Sequence, residues 1–168
     1  MALPAVNFDP SKTIIPTKTY AVWTPAGGGA TAVPLIGKIA NYEQTLDTVK
    51  REAPGTDNLL RADRIVAIRQ TEILKLELED VKLLGEVFGD GRFSGLKNGK
   101  VKFYITDPDD ALNTAAIITN EFACSVTLDG GMGLTANEVT KATLAFEAKE
   151  PVEFEVDAST VEGGGGGA

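Results

Sequence analysis

At 168 residues, with 43% hydrophobic and 24% charged side chains, the chain is long enough for one domain with a sizeable core. It has no histidine and one cysteine, which excludes Ser-His-Asp and Cys-His catalysis, histidine-ligated metals and any disulfide within the chain. Sixteen Lys and Arg stand against 24 Asp and Glu, a formal charge of -8 that disfavours gripping of nucleic-acid phosphates, and no apolar run approaches the roughly 20 residues that span a bilayer.

Residues 1–18 carry Pro4, Pro10 and Pro16 with little periodicity and read as an extended arm. They show neither a basic nor an apolar signal region, so synthesis in a cytoplasm is expected. Residues 20–23 suit a short strand, stopped by Pro25 and Gly27-Gly28-Gly29. Residues 32–39 form a second apolar piece in which Pro34 suits an edge or a strand start. Residues 41–53 support two readings. Tyr42, Leu46 and Val49 recur at helical spacing, with Asn41 and Gln44 as a capping box. Thr45 and Thr48 suit half of a long hairpin instead, and the length of the segment that follows favours the hairpin.

That return segment, 61–80, alternates Leu74, Leu76 and Leu78 with Lys75, Glu77 and Glu79, which puts the leucines on one face of a strand. At Asp80 the period changes. Val81, Leu84 and Phe88 predict a short helix, capped by Asp80 and stopped by a left-handed Gly89. Further alternation marks strands at 101–105, 122–128, 143–148 and 152–157. In the last of these Val152, Phe154 and Val156 are expected in the core, and Glu153, Glu155 and Asp157 outside. Asp107-Pro108-Asp109-Asp110 and the glycines at 130, 131 and 133 read as turns. The pattern predicts a mainly β fold: an antiparallel sandwich or barrel with one short flanking helix, a long hairpin and extended terminal arms. The expected division is an arm at 1–18, a single β domain at 19–160 and a flexible glycine-rich tail at 161–168.

The search for chemistry finds no catalytic residue, no cofactor motif and no metal site. Ser11, Ser94, Ser125 and Ser159 lie outside any nucleophile elbow, and Cys124 falls on the apolar face of its strand. Gly27-Gly28-Gly29 lacks the Lys-Ser/Thr ending of a phosphate loop. Asp107, Asp109 and Asp110 lack the closing glutamate of a calcium loop. The chain is therefore expected to be no enzyme and to bind or assemble instead.

A proline-bearing arm, a long charged hairpin, the strand-to-helix switch at 74–88 and the closing amphipathic strands at 140–148 and 152–157 together resemble the major tail tube protein of long-tailed bacteriophages. That resemblance implies a β fold packed into hexameric rings that stack into a hollow virion tube, assembled in the host cytoplasm with no membrane anchor. It implies self-association, with tape-measure and terminator proteins as further partners. DNA would pass without specific binding through a lumen lined by acids, for which Glu77, Glu79, Glu153, Glu155 and Asp157 are the candidates. Pro4, Phe8 and Pro10 would belong to an arm that bridges rings. Two other readings stay open: a capsid decoration or tail terminator protein, and a carbohydrate-binding or adhesive β module.

Overall fold

The computed structural model describes residues 18–51, 64–78, 80–89, 92–106 and 115–156. Among these residues eight strands and one helix run in the order β1 (Lys18–Pro25), β2 (Val33–Arg51), β3 (Arg64–Leu78), α1 (Leu83–Phe88), β4 (Lys97–Thr106), β5 (Ala115–Thr119), β6 (Phe122–Met132), β7 (Ala142–Ala148) and β8 (Phe154–Val156). All pairings are antiparallel. The sheet order is β1-β2-β3-β7-β6-β4-β5-β8, and β1 also pairs with β4. That last pairing, from Lys18↔Thr106 to Pro25↔Gly99, closes six strands into a barrel. Of the two architectures the alternation allows, closure selects the barrel, and within the barrel it leaves those six strands no free edge.

β4 holds the seam. Its first half pairs with β6, from Lys97↔Val126 to Val101↔Phe122. Its second half pairs with β5, and β5 carries β8 outside the barrel. Period-two alternation fills the interior. Trp23, Leu35, Leu74, Leu76, Leu78, Phe103, Phe122, Val126, Leu144 and Phe146 are all buried. Phe146 lies against Trp23 at 5.9 Å and edge-on to Phe103 at 5.4 Å. Each such side chain contributes roughly 1.5–3 kcal/mol on burial. Gly99 permits the closest approach at the seam, because a Cβ there would meet the Thr24 carbonyl oxygen and the Trp23 ring.

The helix forms where the period changes, and Leu84, Val87 and Phe88 enter the same core. Gly89 ends it in the left-handed region with φ 79°, as expected. Asp80 acts slightly upstream of its expected place. Its Oδ1 accepts the Lys82 N–H at 3.1 Å, capping a turn that precedes the helix.

Residues 41–51 are strand, as the favoured hairpin reading expects, because they pair with β3. Two expectations are corrected. Gly130 and Gly131 do not end β6. Their positive φ values make an irregularity between Asp129 and Met132, and pairing with β7 continues to Met132↔Ala142. In the last strand only Val152 is buried, while Phe154 and Val156 are 40% and 53% exposed. β8 lies at the margin of the sheet, pairing only with β5, so neither of its faces meets the barrel interior. β5 itself has no expected counterpart.

Candidate assembly surface

The most distinctive surface arises where β2 and β3 outrun their neighbours. β1 pairs with β2 only as far as Gly37, and β7 pairs with β3 only as far as Ile73. Beyond those points residues 44–51 and 64–72 pair with each other alone among the described residues. At the usual rise per strand residue this two-stranded ribbon extends about 30 Å past the barrel. One register shift, between Ile39 and Asn41, lies just before its root, and a second, between Asp47 and Thr48, interrupts it. It carries Leu46, Val49, Ile65, Val66 and Ile68, all exposed, with Ile68 at 66%. Val49 and Val66 stand directly opposite each other. A two-stranded ribbon in water is marginal by itself, and this one leaves a run of apolar side chains exposed in the single copy.

Its root is tied down. Glu72 shares the inward register of Leu74, Leu76 and Leu78 and is buried. Its Oε1 accepts the Tyr42 hydroxyl at 2.7 Å, and its Oε2 accepts the Val152 N–H at 3.2 Å. Desolvation, then the hydrogen bond to Glu72 and its charge, push the Tyr42 hydroxyl up to about 12. The Tyr42 ring meets Phe154 edge-on at 5.0 Å. Sequence reasoning missed Glu72. The legible signal was a carboxylate at a position where β3's alternation calls for an apolar residue, which demands a buried partner.

The segment leading into β8 is held as firmly. Asn120 Nδ2 donates to the Pro151 carbonyl, and its Oδ1 accepts the Glu153 N–H, each at 3.0 Å. The Asn120 backbone N–H donates to the Glu153 carbonyl at 3.0 Å, and Glu150 Oε2 accepts the Ala123 N–H at 3.1 Å.

The expected acidic residues do not form one described cluster. Glu77 is half-buried on the outer face of β3 and accepts Lys141 Nζ at 3.2 Å. Glu153 and Glu155 are exposed beside and on β8, which is not a neighbour of β3 in the sheet. Glu79, Asp157 and the arm residues Pro4, Phe8 and Pro10 lie outside the described residues. So do the turn at 107–110 and the C-terminal tail. On the β3–β7–β6 face, acids are interleaved with bases. Lys75 bridges Asp129 at 3.1 Å and Glu43 at 3.2 Å, and those bonds, Asp129 first, raise its pKa. Among the described residues no three His, Cys, Asp or Glu side chains are grouped to hold a metal. An open groove between residues 93–96 and β6 is lined by Phe93, Ser94, Leu96, Thr127, Leu128 and Met132 and has no titratable side chain along it.

No protein-family model matches the chain, and neither does any curated protein sequence. Solved structures do share its fold. A chain of the six-fold symmetrised baseplate of the anti-feeding prophage superposes with a TM-score of 0.51 at 13% identity, over 93% of this chain and 98% of that one. A chain from the structure of the PVC sheath/tube terminator in its extended state, from an extracellular contractile injection system, superposes with a TM-score of 0.50 at 10% identity, over 90% of this chain and 100% of that one. At these identities the likeness establishes a common fold.

Proposed function

We propose that the chain is a structural subunit of a phage tail or tail-like particle, and that copies form rings that stack into a tube. The ribbon carries this reading. A closed barrel satisfies its own edges, so a paired extension with exposed Leu46, Val49, Ile65, Val66 and Ile68 has no purpose in an isolated copy. The shared fold with chains of a six-fold baseplate and of a sheath/tube terminator supports the same class of assembly. In this reading the ribbon and the arm bearing Pro4, Phe8 and Pro10 reach a neighbouring copy. Tape-measure and terminator proteins are the further partners, in a virion tail. The acids Glu77, Glu79, Glu153, Glu155 and Asp157 are the candidates to face a lumen through which DNA passes unbound.

A second reading, a tail terminator that closes a tube without polymerising, draws on the likeness to a chain of the sheath/tube terminator assembly. Electron microscopy of the purified protein separates the two. Tubes support the first reading, and single rings at every concentration support the second. A monomer at every concentration, alone and with tail partners, sinks both. Deleting residues 1–12 is expected to weaken stacking of rings more than folding of the subunit.

A further inference from the structure

We propose that residues 150–156 act as a strap that sets the angle at which the ribbon leaves the barrel, with the Glu72 carboxylate as the pin that joins the two. A ribbon of two strands has no third strand to fix its direction. A register shift between Ile39 and Asn41 also lies just before the point where it departs, and irregular pairing of that kind bends a strand pair. Something must therefore hold its heading.

Glu72 is placed to do so. It lies on β3 at the root, and its two oxygens are divided between elements. One takes the hydroxyl of Tyr42 on β2, and the other takes the backbone N–H of Val152 on the strap. The Tyr42–Phe154 ring contact adds a second tie between the same two elements. The strap in turn is anchored away from the ribbon. Asn120 holds it through Pro151 and Glu153, and the Glu150 carboxylate holds it through the Ala123 N–H. Force on the ribbon is thus passed through Glu72 to the strap, and from the strap to the start of β6. By linkage the coupling works both ways: lifting β8 from β5 frees the ribbon, and swinging the ribbon loosens β8. The coupling belongs to a single copy and does not rest on the assembly reading.

The test perturbs the strap and reads the ribbon. Spin labels at Leu46→Cys on the ribbon and Lys82→Cys beside the helix report the ribbon's heading in the full chain. Amide exchange reports β8 and the barrel separately. Asn120→Ala removes a strap anchor and touches no ribbon residue. It is expected to broaden the Leu46–Lys82 distance distribution and to speed exchange in residues 152–156 by about tenfold, with the amides of β6 and β7 unchanged. Glu72→Gln, perturbed from the other side, is expected to speed exchange at the same β8 amides. Where Asn120→Ala disturbs the barrel amides, Glu150→Ala serves in its place, because that exposed side chain is the strap's other anchor and touches no ribbon residue. An unchanged ribbon distribution in a variant whose β8 amides exchange freely would overturn the proposal.

Discussion

Cys124 lies between Phe122 and Val126 on the inward register of β6 and is fully buried. Burial pushes its thiol up to about 12, against a small opposing pull from Lys149. Since the thiolate is the reactive form, the native protein is expected to resist thiol reagents at neutral pH, with labelling only as the barrel unfolds. Cys124→Ala is expected to cost about 1 kcal/mol in a denaturant titration, through lost packing. Tyr42 behaves alike, raised from 10.0 to about 12. The unfolded chain gives up these protons from about pH 9 and pH 10, while the folded chain retains them. The stability these two groups contribute is therefore present below about pH 9 and is lost as pH rises towards 12. Urea titrations at pH 8 and pH 11 check this, and Tyr42→Phe is expected to flatten the part of the fall above pH 10. Gly99 sets a steric limit. Gly99→Ala forces a methyl group onto the Thr24 carbonyl and the Trp23 ring, and is expected to destabilise the fold by about 2–3 kcal/mol in the same titration.

Among the elements, the ribbon should separate assembly from folding. Leu46→Ser with Ile68→Ser alters two exposed side chains outside the core, so the melting temperature is expected to stay within a few degrees while sedimentation shows loss of higher assemblies. An intact assembly in that variant would remove the ribbon from the contact. The elements also differ in how much of them was legible. β3, β6 and β7 face a closed interior on one side and water on the other, so their alternation reports burial directly. In β8 the same alternation misled, because Phe154 and Val156 sit on a strand with no core beside it. Period two says that a strand has two faces, not that one of them is covered. β5 is five residues, Ala-Ala-Ile-Ile-Thr, with no alternation to announce it. The glycines of β6 carry the composition of a turn and the register of a bulge, and only the pairing with β7 distinguishes these. At the candidate surface, the apolar residues of the ribbon were visible, but their exposure depends on where β1 and β7 stop pairing. That is a property of the neighbours' lengths and not of the ribbon's own residues.

For the whole molecule, the test closest to the proposed role is reversal of charge beside β8. Glu153 and Glu155 are both exposed, so Glu153→Lys with Glu155→Lys is expected to fold normally. If these carboxylates face a lumen, their repetition around a ring sums to a field that keeps phosphates from binding, and their reversal creates sites that hold DNA. Particles carrying the pair are then expected to eject DNA slowly or not at all. Normal ejection would take this strand out of the lumen and leave Glu77 and Glu79 as the candidates. Barrel closure has a different consequence, one of timing. β1 finds β4 some 80 residues along the chain, and β3 must wait for β7, so the ladder cannot close until nearly all of the described chain is available. Contacts so distant in sequence make for slow folding, in milliseconds to seconds, and leave strand edges bare in the interval. Trp23, the chain's single tryptophan, lies buried at the β1–β4 seam, so a late shift in its fluorescence would time the moment at which the barrel shuts.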